Sequence, residues 1–344
     1  MIASVVTHLK TPVISLLVFA GLGFSGHSQD TITAIPQKSL EIPQIRWVKQ
    51  WPSADKKQKT HTFKTRFNAI FLGKKTPVLS RPVSVLALNP GNFWILDQGA
   101  KSIFHVQREV GEIPHFIRKS TFDFSSLVGI CAIPPDGFIF TDSHAKKIYK
   151  ILPEKKQLQI LNDTIPLDQP TGIAFSSVTN QIYVVETNAH RIAVLNEKGE
   201  IVKHIGSRGT AAGEFNYPTH IWIDKAGLLY VIDAMNFRVQ ILSSEGEVIS
   251  VFGEPGDASG YFARPKGIAT DSHGNIYIVD ALFHVVQVFD MKGVFLYNLG
   301  NQGQKQGEFW MPSGIFIDDS DFVYIADCYN SRIQVFQLVY GNKK

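Results

Sequence analysis

Six carboxylates punctuate the chain at nearly even intervals: Asp97, Asp142, Glu186, Asp233, Asp280 and Asp327, separated by 45, 44, 47, 47 and 47 residues. Carboxylates can run general acid–base chemistry or hold metal ions, so the column could in principle be catalytic. A reaction needs such a group once or twice, however, and this one recurs at every interval. Five residues beyond the acids stand Ser102, Lys147, Arg191, Arg238, Val285 and Arg332. An acid followed by a frequent base reads as a local ion pair that also accepts hydrogen bonds from loop amides. The column is assigned to structure, and no catalytic residue is assigned anywhere in the chain.

Histidines offer a second route to chemistry. His220 stands where other intervals carry Gly129, Gly172, Gly267 and Gly314, and His144, His190 and His284 closely follow three of the acids. Four histidines on one face would suit zinc, provided they converge to about 2.1 Å from a single ion. A third set departs from the repeat in a different way: Asn188, Asn236, Trp310, Tyr329 and Asn330. Exposed Trp and Tyr favour contact with a partner or ligand. The competing assignment for Trp310 and Tyr329 is packing between repeats.

The elements that carry these residues repeat with them. Three residues before each acid stands Trp94, Ile139, Tyr183, Tyr230, Tyr277 or Tyr324, and a proline opens most repeats at Pro82, Pro170, Pro218, Pro265 and Pro312. Segments such as Ile276-Tyr277-Ile278-Val279 are short, β-branched or aromatic, and bounded by turn residues, which predicts strands. Asp224-Lys225-Ala226-Gly227 and Asp271-Ser272-His273-Gly274 supply hairpin turns. Three glycine-rich loops end in Phe215, Phe262 and Phe309, with no helical pattern behind them that could present amides to a phosphate. Their phenylalanines are expected to plug between repeats.

Four-stranded units recurring every 40–50 residues predict an all-β, six-bladed β-propeller of antiparallel blades. The sixth repeat stops one strand short. Phe67–Gly73 resembles a fourth strand without a blade, so an N-terminal strand is expected to complete the last blade and close the ring. In that geometry His220 begins an inner strand near one mouth of the central channel. The loop histidines open on the same face but further from the axis.

The pattern Pro-x-Gly-Ile-Ala, then Tyr-Val-x-Asp, then Asn-x-Arg-Ile-Gln-Val-Phe, varied over the third to sixth repeats, resembles the NHL repeat. Phe215–His220, Asn236–Gln240 and Ile42–Val48 extend the likeness to exported bacterial six-bladed NHL proteins. The first two repeats depart furthest, with Ser84 and Ser102 for Gly and Arg, and Leu127 and Ile139 for Pro and Tyr. The resemblance implies the fold; propellers host unrelated activities, so it implies little about function. Amidating lyases, an NHL-like propeller family, hold zinc through histidines of several blades. Gluconolactonase-type propellers hold calcium through acids and amides, a constellation without an equivalent here.

Residues 1–28 have the order of a signal peptide: Lys10, then an apolar run over Pro12–Phe24, then small residues at Gly26 and Ser28. The run is short of the roughly 20 residues that span a bilayer. The chain is thus divided into a signal peptide (1–28), an arm basic in its second half (29–63) and the propeller (64–344). It is expected to be periplasmic or extracellular, with no transmembrane segment after cleavage. Two cysteines in 344 residues, Cys131 and Cys328, make no disulfide framework and are expected to be unbridged. Net charge is +4, but Lys49–Arg81 contributes +8 and Lys10 a further +1, which leaves the body from Pro82 onward at about −5. Export, an acidic body and the lack of basic residues interleaved with aromatics argue against nucleic acid. The leading reading is a monomeric scaffold for a protein, peptide or glycan, with no cofactor. The alternative is a metal-dependent lyase or hydrolase holding zinc or calcium near His220.

Overall fold

The computed structural model describes residues 42–52, 79–107, 115–117, 123–135, 137–153, 157–163 and 166–341. Six four-stranded antiparallel sheets follow one another around a ring. Blade four shows the plan: Pro218–Ile223 innermost, then Leu229–Asp233, Arg238–Leu242 and Val248–Phe252 at the outer edge. The inner strands of the other blades are Pro82–Asn89, Leu127–Ile133, Pro170–Ser176, Pro265–Thr270 and Ile315–Ile317. Strand two of each blade is buried at all or all but one of its residues, and Leu229–Asp233 and Ile276–Asp280 are buried throughout. Such strands are covered on both faces because each blade packs against two neighbours. Six apolar cores result, each shared by one pair of adjacent blades. Phe215, Phe262 and Phe309 lie fully buried in three of these cores, the interblade plugs expected of the glycine loops.

The ring closes through an N-terminal strand, but not through the segment that sequence comparison favoured. Gln44–Trp51 is the outer strand of blade six, paired antiparallel with Arg332–Val339 from Gln44 opposite Val339 to Trp51 opposite Ile333. Phe67–Gly73 lies outside the described residues. The physical reason is visible in QIRWVKQW: Ile45 and Trp47 pack on the core shared with blade five, Val48 and Trp51 on the core shared with blade one, and Gln44 and Arg46 stay exposed as an outer edge allows. Trp47 donates its indole N–H to Gln334 Oε1 at 3.2 Å. Trp51 is buried with its ring 6.2 Å from Phe104 of blade one. One strand thus completes blade six and seals the junction to blade one.

Inner strands approach each other closely, which explains the glycine column. A Cβ on Gly129 would stand 2.5 Å from Thr171 O, and one on Gly172 would stand 2.7 Å from His220 Cα. Gly267 and Gly314 meet the next blade's backbone in the same way, at 2.7 and 2.5 Å. Ser84 and His220 occupy the position in blades one and four, on opposite sides of the ring. There the ladder resumes early, at Ser84 opposite Leu96 and His220 opposite Ile232. In blades two, three and five it resumes only at Ile130, Ile173 and Ile268.

Candidate functional site

The acid column ties each blade to the loop that enters it. Asp97 accepts from the Ser80, Arg81 and Ala100 amides at 2.8, 3.0 and 2.7 Å. Asp142 repeats this with Ser125, Ser126 and Ala145, and Asp280 with Ala263, Arg264 and Leu282. Where an arginine follows, the carboxylate takes it too: Arg191, Arg238 and Arg332 donate Nε at 2.7, 2.8 and 2.7 Å, whereas Lys147 turns away from Asp142 to pair with Asp163 at 3.2 Å. All six acids are buried. Every one is occupied within its own blade, as the regular spacing implied.

Other candidates prove to be held in the same framework. Asn236 and Asn330 donate to Asp233 and Asp327 and, 27 residues back, to Gly209 O and Gly303 O. His190 and His284 have left-handed backbones, and their Nδ1 atoms accept from the Tyr217 and Met311 amides at 3.1 and 2.9 Å, again 27 residues away. That interval is the step from one blade's loop to the next blade's entry. These histidines therefore serve two separate blade junctions, with His144 exposed on a third blade. Among the described residues no three His, Cys, Asp or Glu side chains gather closely enough to share a metal ion.

Sequence reading passed over two further columns. Gln240, Gln287 and Gln334 are fully buried and bond both ways to the glycine loops: each accepts an amide of Gly213, Gly260 or Gly307 and donates to a nearby carbonyl. On the opposite face, Tyr230, Tyr277 and Tyr324 donate to the hairpin acids Asp224, Asp271 and Asp318 at 3.0, 3.0 and 2.9 Å. The signal was present as an acid six residues before each tyrosine.

The centre of the acid-column face is more unusual. His220 is partly open to the channel but largely desolvated, and burial lowers its pKa from the ordinary 6.5 to about 4. Its neighbour Thr219 has a buried hydroxyl without a hydrogen-bond partner. Deeper in, Trp222 of blade four and Phe316 of blade six meet edge to face, ring centroids 5.6 Å apart. They meet past Ala269, the blade-five residue at the equivalent register. Trp222 also donates its indole N–H to Thr270 Oγ1 at 2.9 Å. Cys131 lies in the inner strand of blade two and Cys328 in a 3₁₀ turn of blade six, both as free thiols.

Around this centre runs an apolar arc. The residue two past each acid is exposed in every blade: Gly99, His144, Asn188, Met235, Leu282 and Tyr329. In blades four to six it is large and apolar, with exposures of 54%, 51% and 57%. Tyr217 and Trp310 add two further exposed rings. Trp310 and Tyr329 lie with centroids 6.1 Å apart, and Trp310 lines an open hollow of about 340 Å³ with Gln302, Gly303 and Gln304. Sequence analysis picked Trp310 and Tyr329 but missed Met235 and Leu282. The change of type along one repeat position would have found them.

The state of His220 has a pH consequence. The unfolded chain takes up this proton near pH 6.5, whereas the native site refuses it until about 4. The unfolded state therefore binds more protons within that window, so His220's share of stability is full above pH 6.5 and is lost as pH falls toward 4. Replacing His220 with Gln should flatten the fall in urea-unfolding free energy across that range, by roughly 2 kcal/mol at its acid end, discounted for partial exposure. Parallel pH profiles for the wild type and H220Q would contradict this.

Residues 162–240 match the family model described as a 6-bladed beta-propeller, and residues 309–336 match the model of the NHL repeat. No curated protein matches the sequence. Among solved structures, virginiamycin B lyase from Staphylococcus aureus is similar, with a TM-score of 0.58 and 17% identity over 77% of this chain and 97% of that one. An auxiliary nutrient binding protein from Bacteroides thetaiotaomicron gives 0.60 and 13%, over 76% and 69%. Hydrazine synthase of Kuenenia stuttgartiensis gives 0.54 and 13%, over 83% and 99%. At such identities the likeness is one of fold. Sequence columns, ring geometry and family matches agree: the chain is a six-bladed β-propeller with a matching NHL repeat in its last blade.

Proposed function

We propose that this protein is an exported, monomeric recognition module that binds a protein, peptide or glycan on the acid-column face of blades four to six. The observation that carries the reading is the arc of Tyr217, Met235, Leu282, Trp310 and Tyr329. A ring needs its acids, tyrosines and glycines in every blade, but it does not need large exposed apolar groups at one loop position in three consecutive blades. Aromatic anchors concentrate binding energy, and an apolar patch rimmed by polar groups marks an interaction site on a soluble protein. Export rests on the sequence pattern of residues 1–28. Among the described residues no helix is long and apolar enough to cross a membrane.

Capture of the native partner tests the face. Trp310→Ala combined with Tyr329→Ala should weaken it by about 2 kcal/mol or more, while changes at Lys225 and His273 on the opposite face should leave it unchanged. The reverse pattern would place the site on the wrong face. Zinc or calcium at one per chain in the purified protein, lost in a His220 variant, would favour the lyase or hydrolase alternative instead.

A further inference from the structure

Three cations stand at the channel mouth, and none of them pairs with a carboxylate among the described residues. Lys266 is the second residue of the inner strand of blade five and is only partly exposed. Arg264 precedes it by two residues, and Arg81 immediately precedes the inner strand of blade one; both are exposed. None of the three joins an ion pair or donates a side-chain hydrogen bond among the described residues. Burial holds the Lys266 pKa below its ordinary value, and Arg264 adds to the effect. Cys328 links the group electrostatically, since its thiol feels Arg81 and Lys266 as well as Asp97 and Asp327. Burial pushes that thiol up to about 11, so it stands there as a neutral S–H.

The three nearby carboxylates are already filled, Asp97 by three amides, Asp280 by the Ala263, Arg264 and Leu282 amides, and Asp327 by the Trp310 amide, Asn330, Arg332 and Gln334. On the adjoining inner strand, at the position equivalent to Lys266, the buried Thr219 hydroxyl also lacks a partner. Ser313 holds the corresponding place in blade six. Keeping an ammonium in a half-buried wall without a counter-charge is costly, and so is leaving a hydroxyl unsatisfied. Donors are in surplus here, and acceptors are missing.

We infer that the mouth binds an oxyanion, the carboxylate or phosphate group of a ligand, with Lys266 as its ion-pair partner and the Thr219 hydroxyl as a hydrogen-bond donor. Arg81 and Arg264 raise the local concentration of such ligands, and the apolar arc takes the rest of the molecule. The inference rests on the reading of this face as the ligand face. It is tested with small anions, so the two can fail separately.

Titration calorimetry on the full chain with inorganic phosphate and with acetate, at matched chloride, reads the site directly. One phosphate or acetate should bind per chain, and the tighter of the two identifies the ligand's group. Lys266→Met should weaken that binding at least tenfold, Thr219→Val about threefold, and Lys266→Arg less than Lys266→Met. Lys266→Met should also raise the thermal midpoint, because it removes an uncompensated half-buried charge; a lysine kept for packing or pairing would lower it. Absence of binding by either anion up to ~50 mM, a Met variant that binds like wild type, or a lowered midpoint would each overturn the inference. If anion binding follows Lys266 while the Trp310/Tyr329 pair leaves partner capture intact, the anion site stands and the face reading falls.

Discussion

A chain that begins at residue 52 should fail to form a stable ring, whereas one that begins at residue 42 should melt like the full-length protein. The difference between them is Gln44–Trp51. Its removal strips the outer strand from blade six and leaves the row of N–H and C=O groups along Arg332–Val339 unpaired. It also removes Trp51 from the junction with blade one, and a buried Trp replaced by Ala alone costs about 3–5 kcal/mol. Loss of Trp47 and its bond to Gln334 adds to this, as does loss of the Arg332 contact to Gln50 Oε1 at 2.9 Å. Together these approach the whole stability of a typical folded domain, about 5–15 kcal/mol. Thermal melts should show a fall of more than ~10 °C or outright aggregation through the new edge. Coincident melts of the two truncations would show that the strand is dispensable.

The sequence supported the need for this strand but not its location. Phe67–Gly73 resembles the outer strand Val248–Phe252, each mostly apolar around one polar residue with a glycine at its end. Gln44–Trp51 carries four polar or charged residues in eight because it edges the ring, and an edge strand shows a broken apolar pattern. Features that recur once per blade were legible for the opposite reason. The acid column, the tyrosines and the interblade phenylalanines each appear several times in register, so each copy corroborates the others. The Trp222–Phe316 contact has no such help, since it joins non-adjacent blades and occurs once. The spacing of the histidines after three of the acids is legible, but only geometry shows that His190 and His284 accept hydrogen bonds from the next blade's backbone.

Asp327→Ala should be the most damaging single change in the acid column, at about 4 kcal/mol. The carboxylate accepts from the Trp310 amide, Asn330, Arg332 and Gln334, and truncation takes one bond from each of the four donors inside the blade. Arg332 keeps its carbonyl partners Gln304, Lys305 and Glu308 but loses its only counter-charge, and breaking a buried pair from one side costs about 3–5 kcal/mol. Asp97→Ala should cost less, about 2 kcal/mol, because it strands only amides near the surface of the loop. Urea unfolding of the two variants tests the ranking. An Asp327→Ala protein within 1 kcal/mol of wild type, or one more stable than Asp97→Ala, would show that the arginine rearranges to a new partner.

Trp222 and Phe316 act as a strut. A ring of blades joined only to their neighbours can flex at each junction, but a contact that passes over blade five, with Trp222 also bonded to Thr270, makes blades four to six one stiff sector. Tyr217, Met235, Leu282, Trp310 and Tyr329 all ride on that sector. Their spacing is therefore set before any ligand arrives. A surface prepared in this way surrenders little conformational entropy when it is covered, and encounter need not wait for a slow rearrangement. For the proposed ligand, rigidity at the axis would become affinity and speed at the rim.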